Sequence, residues 1–514
     1  MKHKMLLVYM LAIVKFILPF ILQEPFYQPH RDEFLYLAQG SHLAWGFLEV
    51  PPLLSFFAWL THLAGDGFFF IKLWPSLFGA FTFILTARLL ISLGGKMFAI
   101  VLAFLPFIFG SYLRVHYLFQ PNFLEIFFYT LIAFSLVEFI QTQQNKWLYL
   151  FGIACGLGMM SKYSVAFFII AIIIGLLATP ERKVFGNKHF WYASLLAFVI
   201  FLPNLIWQFL HNFPVAHHME ELKRTQLQYI NPVEFLQDQI LMNLPCFYLW
   251  LTGLVGLLLL KKTKQYRFIA IAYIVVITLL LLFQGKNYYA LGLYPVLFAF
   301  GGFFLELLTV KRIRFMRVVF IIFSFFSGIF FIPLALPVFK PAELANFYRD
   351  KNYAKTGALK WEDLQNHSLP QDFADMIGWK ETARQTAEVY NSLSDTEKSK
   401  TIIKSDNYGL CGALNFYGKK MGLPEVYSYN GSFILWMPTT YDVSNIITIG
   451  ENFPDTTREI VKQFKHISIE GQLKDSLARE NGIKIILWKG CDAALLSRFI
   501  EAELADRKAL FIRK

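Results

Sequence analysis

The sequence predicts a polytopic α-helical membrane protein, about 11 transmembrane helices followed by a C-terminal soluble α/β domain. Three observations carry that fold class. Of the 514 residues 56% are hydrophobic, 18% aromatic and only 16% charged, far more apolar matter than one soluble core takes up. The apolar residues fall in repeated runs of about 20, the length at which a helix crosses a hydrocarbon layer roughly 30 Å thick, with none of the alternation of a membrane barrel. Near Lys340 the runs stop and ordinary globular composition takes over.

Spans are expected at 5–23, 70–92, 97–113, 119–140, 147–161, 163–178, 189–209, 240–260, 266–283, 288–308 and 315–337. The first follows "MKHK" as a signal sequence would, but no small-residue cleavage site comes after it, so it is expected to stay as a helix. Residues 52–65 are apolar, short and led by Pro, which suits a helix lying at the membrane interface or re-entering it.

Lys and Arg set the orientation, because cytoplasmic loops are enriched in them. With the amino terminus inside, the inner connections carry sixteen basic residues and the longer outer segments before residue 338 carry seven. The split agrees at every loop. The formal charge of +12 divides accordingly: 24 Lys+Arg against 13 Asp+Glu before residue 338, and 24 against 23 beyond it. Topology explains the excess, and the basic total gives no argument for a nucleic-acid partner.

Residues 1–337 are therefore read as the membrane domain and 338–514 as an outer α/β domain. In the latter, strand-like "TIIKSDN", "NIITIG" and "IKIILWKG" alternate with helical "CGALNFYGKKMG", "TTREIVKQF" and "ALLSRFIEAELADRK". No tandem repeat or low-complexity tract interrupts the chain. Of four cysteines, Cys155 and Cys246 lie in apolar runs, while Cys411 and Cys491 lie in the tail and are open to a disulfide. Asn366 and Asn430 stand in Asn-x-Ser sequons.

On this topology the outer ends of the helices collect polar residues: Arg31, Asp32 and Glu33 in the first loop, Arg114 and His116 after the third span, Lys162 between the fifth and sixth, His217 and His218 in "NFPVAHHMEELKR", and Lys286 in "QGKNYYALGLYP". Asp32 and Glu33 have a plain reading as a helix start, since carboxylates favour the amino-terminal turn. Arg114, Lys162 and Lys286 have one as snorkelling side chains. Basic residues at outer helix ends run against the positive-inside bias, however, and three of them bordering an acidic loop suggest an anion site beside a carboxylate. An anion at that face is most simply a lipid phosphate. His217 and His218, with Glu220 and Glu221, read either as metal or acceptor ligands or as an interfacial loop, and adjacent His residues lack the i, i+4 spacing that puts two imidazoles on one helix face.

The first-loop stretch "RDEFLYLAQGSHLAWGFLEVPPL" resembles the C-type (GT-C) membrane glycosyltransferases that use polyprenyl-phosphate sugars, in the branch of the protein O-mannosyltransferases and the lipid A aminoarabinose transferase. "GLGMMSKYS", "FLPNLIWQFLHNFPVAHH" and "GKNYYALGLYP" extend the likeness, and "FADMIGWKETARQTAEVYNSL" with "NYGLCGALNFYGKKMGLPEVYSYN" carries it into the tail of bacterial members. One departure stands out: where relatives often carry an acidic residue near the start of the fourth helix, this chain has Asn122, with Glu125 one turn later. A second catalytic carboxylate or metal ligand there is left open.

The resemblance implies a GT-C-like fold in a bacterial inner membrane, with the C-terminal domain in the periplasm. It also implies transfer of a sugar, with inversion, from a polyprenyl-phosphate donor to a hydroxyl acceptor such as lipid A, a glycan, a glycolipid or a protein. Asp32 is the expected base, and Glu33 would orient the acceptor or a neighbouring cation. Lys286, Arg114 and Lys162 are expected on the donor phosphate, and Tyr288, Tyr289 and His116 on the sugar or lipid. No particular cofactor is implied, and a divalent cation is kept open. The rival from another class is a transporter or flippase of a lipid-linked or anionic solute.

Overall fold

The computed structural model describes residues 2–455 and 457–511. Its membrane part is a bundle of helices in which apolar sequence meets helical length: α1 (Lys2–Leu22), α4 (Phe68–Ser92), α7 (Asn122–Thr142), α10 (Lys188–Leu210), α14 (Arg267–Leu282), α15 (Tyr294–Leu308) and α16 (Met316–Ala335). Between them come α2 (Arg31–Ser41), α3 (Leu53–Leu63), α5 (Met97–Ile108), α6 (Ser111–Val115), α8 (Lys146–Ser161), α9 (Val165–Leu177), α11 (Pro214–Thr225), α12 (Pro232–Leu241) and α13 (Phe247–Leu259).

Each of the eleven expected spans coincides with a helix, and α3 occupies the short apolar stretch at 52–65. Most keep the expected length, while α5, α13 and α15 are shorter than expected. Among the described residues seven helices are long and apolar enough to cross a membrane, or nine if two bent pairs, Val165–Leu177 with Pro180–Gly186 and Pro232–Leu241 with Leu244–Leu259, each count once. The count of eleven is therefore not reproduced: α5, at 12 residues, and α8, at 16, are too short alone. The chain is a multi-pass membrane protein. Helices α13 and α15 approach closely because Gly301 carries no side chain, where a Cβ would collide with the Leu249 carbonyl oxygen.

The C-terminal part holds a five-stranded sheet in the order β2-β1-β3-β5-β4. Strands β1 (Thr401–Ser405), β2 (Val426–Tyr427) and β3 (Asn445–Gly450) are parallel, while β5 (Lys484–Lys489) runs antiparallel to β3 and β4 (His466–Gln472). The three expected strands are β1, β3 and β5, and β2 and β4 are additions. Expected helical segments appear as Tyr408–Gly418 and Ala493–Lys508, whereas in "TTREIVKQF", whose first Thr lies outside the described residues, the described residues form the single turn Glu459–Lys462. All four cysteines are free and buried, so Cys411 and Cys491 remain thiols.

The two parts share cores. Phe34 and Leu35 of α2 are buried together with Trp379, Cys411, Leu414 and Ile447 of the C-terminal part. A second cluster joins Tyr27, Leu113 and Tyr117 to Tyr348, Phe373 and Ile377. The C-terminal part thus sits on α2 and on the α5–α7 connection, the loops expected to carry the chemistry.

Candidate functional site

Helix α2 starts at Arg31 because its first turn is capped reciprocally: His30 Nδ1 accepts the Asp32 N–H at 3.1 Å and Glu33 Oε2 accepts the His30 N–H at 2.7 Å. The two adjacent acids thereby separate in role. Glu33 has no exposed surface, and its oxygens also accept Lys72 Nζ at 2.6 and 2.7 Å and the Phe119 N–H at 2.6 Å. With four contacts it is saturated and sealed, and of the two partners expected for it, the acceptor or a neighbouring cation, it holds a cation, Lys72. The helix-start reading fits Glu33.

Asp32 is half-buried and carries neutral partners only. Its Oδ1 accepts the Tyr408 hydroxyl at 2.7 Å and its Oδ2 accepts Gln120 Nε2 at 3.0 Å. Among the described residues no cation lies within ion-pairing distance of it, although Arg31 is its sequence neighbour. Each oxygen keeps one lone pair free. Tyr36 and Tyr288 lie within electrostatic reach of the same carboxylate.

The expected phosphate ligands have unequal freedom. Lys162 Nζ donates to Glu125 Oε2 and Asn122 Oδ1, both at 2.7 Å, and stands 4.1 Å from the Tyr289 ring centre. Glu125 also accepts the Ser164 hydroxyl. Glu125, one turn into α7, is thus paired with Lys162. The Arg114 guanidinium is 2.6 Å from Asp372 and donates to the carbonyls of Leu334 and Ala335, so it anchors the chain where α16 leaves the bundle. Although withdrawal from water would by itself raise it, the Arg114 guanidinium holds the Asp372 carboxyl well below the usual range. Lys286 is the loosest of the three, partly exposed and 3.8 Å from Glu362, within electrostatic reach of Lys162 and Asp372.

Tyr288 and Tyr289 lie in the short helical turn Asn287–Leu293, beside Lys162. His116 is expected on the sugar or lipid. It is fully enclosed, stacked on Phe107, with neither ring nitrogen hydrogen-bonded among the described residues. His217 and His218 sit half-buried on α11, the former edge-on to Phe511. Among the described residues no three His, Cys, Asp or Glu side chains gather to hold a metal, so the metal reading of this pair lacks further ligands.

Sequence reasoning missed Lys72, Gln120 and Tyr408. Lys72 left a signal, a single Lys inside the apolar run "FFFIKLWPS", which is costly unless paired. Gln120 and Tyr408 left none, being polar residues beside loops that meet Asp32 only in three dimensions.

Residues 49–207 match the family model of the dolichyl-phosphate-mannose-protein mannosyltransferases. No curated protein matches the chain. Among solved structures, ArnT from Cupriavidus metallidurans bound to undecaprenyl phosphate superposes with a TM-score of 0.61 at 11% identity, over 94% of this chain and 97% of that one. The oligosaccharyltransferase AglB from Archaeoglobus fulgidus, in complex with an inhibitory peptide and a dolichol-phosphate, gives a TM-score of 0.50 at 11% identity, over 87% and 69%. The chain has the fold of ArnT, and its residues 49–207 are similar to the dolichyl-phosphate-mannose-protein mannosyltransferases.

Proposed function

We propose that this protein transfers a sugar from a polyprenyl-phosphate-linked donor to a hydroxyl acceptor, with inversion, at the non-cytoplasmic face of a bacterial inner membrane. Residues 1–337 form the membrane catalytic part and residues 338–514 the domain that covers its periplasmic end. The undecaprenyl phosphate in ArnT and the dolichol-phosphate in AglB support the donor class. The single observation that carries the reading is the state of Asp32: a half-buried carboxylate held by Tyr408 and Gln120, with no cation paired to it among the described residues, next to a neighbour, Glu33, that is saturated.

Transfer needs a base at the acceptor and positive charge at the departing phosphate. Asp32 takes the acceptor proton as the new carbon–oxygen bond forms, while the bond from the anomeric carbon to the phosphate oxygen breaks and its electron pair leaves with polyprenyl phosphate. Lys286 supplies the charge at that oxygen. Lys162, fixed by Glu125, places Tyr289 and Tyr288 along the sugar or the proximal lipid. Glu33 and Arg114 serve by holding the loops. The acceptor is lipid A, another glycan, a glycolipid or a protein.

The test is transfer by the full chain in nanodiscs from radiolabelled undecaprenyl-phosphate mannose, glucose or aminoarabinose, with bacterial membrane extract as acceptor. Label is expected to pass to the extract, and Asp32→Asn to abolish this while undecaprenyl phosphate still binds. Turnover near wild type in Asp32→Asn removes it as the base. Donor crossing the bilayer without transfer favours the flippase.

A further inference from the structure

We propose that Tyr408, contributed by the C-terminal domain, is a positioning residue for Asp32, holding its carboxylate in the orientation that receives the acceptor proton. The inference rests on Asp32 being the base. The contact is a 2.7 Å hydrogen bond between side chains 376 residues apart, so chain proximity does not explain it.

Three features hold the phenol in place. Asn407 caps the helix Tyr408–Gly418 by accepting the Leu410 N–H at 3.0 Å, and Asn430 Oδ1 accepts the Tyr408 N–H at 3.1 Å, pinning the residue from both sides. The Arg31 guanidinium lies 4.8 Å from the Tyr408 ring centre, so the residue before Asp32 rests on the residue that binds Asp32. The helix also sits directly on α2, with Gly409 against Arg31 and Gly412 against Phe34. Together these make the C-terminal domain part of the site.

The groups around Asp32 are His30, Arg31 and Tyr36 from its own segment, Gln120 before α7, Tyr288 before α15, and Asp375 and Tyr408 from the C-terminal domain. Burial, reinforced by the charge of Asp32, pushes the Tyr408 phenol well above its ordinary range. It therefore stays protonated and donating throughout the pH range of an assay. With Gln120 on the other oxygen, the carboxylate has both ends fixed and a lone pair free on each for the acceptor.

The experiment is Tyr408→Phe, in the nanodisc assay above, with the radiolabelled undecaprenyl-phosphate sugar that wild type transfers and saturating membrane extract. Losing one hydrogen bond to the ionised carboxylate should lower kcat roughly tenfold, leave donor KM within about twofold, and move the acid limb of the pH–rate profile up by about one unit. A purely structural role would not move that limb. Unchanged kcat and an unchanged limb overturn the proposal. Asp32→Asn separates the two readings: inactive Asp32→Asn beside a wild-type-like Tyr408→Phe sinks Tyr408 alone, whereas active Asp32→Asn sinks the base and the positioning residue with it. If Tyr408→Phe does not fold, difluorotyrosine at 408 keeps the shape and strengthens the donor. The acid limb should then move down, and an unmoved limb is equally fatal.

Discussion

Lys72 Nζ lies 2.6 Å from Glu33 Oε1, and neither side chain has any exposed surface. The pair joins the first turn of α2 to the start of α4, and Lys72 also faces the Tyr117 ring at 4.2 Å, so three segments meet on one ammonium. Removing one member of a sealed pair strands the other charge, which costs about 3–5 kcal/mol, more than the pair contributes by existing. Lys72→Met should therefore strongly lower the thermal unfolding temperature in detergent, read by tryptophan fluorescence. The double variant Lys72→Met with Glu33→Gln should recover part of the loss, because it removes the stranded charge while the amide oxygen keeps an acceptor for one of the His30 and Phe119 N–H groups. A single variant as stable as wild type contradicts this account of the loop.

Lys286 and Arg114 separate donor chemistry from scaffolding. Lys286→Ala should raise donor KM several-fold with little change in melting temperature, because its carboxylate contact at 3.8 Å is long and partly exposed. Arg114→Ala should do the reverse, loosening the segment after α16 through loss of Asp372 and two carbonyls while donor KM holds. Since Asp372 titrates below its ordinary value, its contribution is complete above about pH 3.9 and is lost only as pH falls through the lowered folded value. Acidification from pH 7 to 5 should leave that seat unaffected. Donor kinetics and melting curves on both variants check the assignment, and exchanged phenotypes reverse it.

The sequence made the fold class and helix positions readable because twenty apolar residues in a row have few alternatives, whatever their partners. Helix lengths were less readable at α5, which ends at Ile108 although apolar sequence runs on to 113, and at α13 and α15, whose expected first turns are separate short helical turns. In the site, the sequence marked which side chains needed a partner and not which partner they took. Arg114, Lys162 and Lys286 looked alike as cations at helix ends, yet carboxylates from distant segments occupy the first two more firmly than the third. Asp32 and Glu33 looked alike as neighbours, and a helix turn sends one toward Lys72 and the other toward Tyr408. Strand β4, "HISIEGQ", was masked by its polar and exposed positions, and β2, at two residues, is too short to leave a period.

Gly412 offers a test of how tightly the C-terminal domain must sit. A Cβ there would lie 2.7 Å from the Phe34 Cβ and 2.9 Å from its carbonyl oxygen. Backbone and Cβ atoms have no rotamer by which to retreat. Phe34 is itself locked edge-on between Trp379, Phe416 and Tyr417, so α2 has no free direction in which to yield. Gly412→Val should lift the helix Tyr408–Gly418 from α2, lowering stability by about 1–3 kcal/mol as overpacked cores do. The same displacement draws the Tyr408 hydroxyl away from Asp32, so kcat should fall with donor KM nearly unchanged. Gly418→Ala is the contrasting change at the far end of the same helix, where the added methyl meets the Leu423 side chain. It should cost stability without the drop in kcat. Melting curves and donor kinetics on the pair decide the matter: equal turnover in the two variants would mean that the domain's seat on α2 has no bearing on the base.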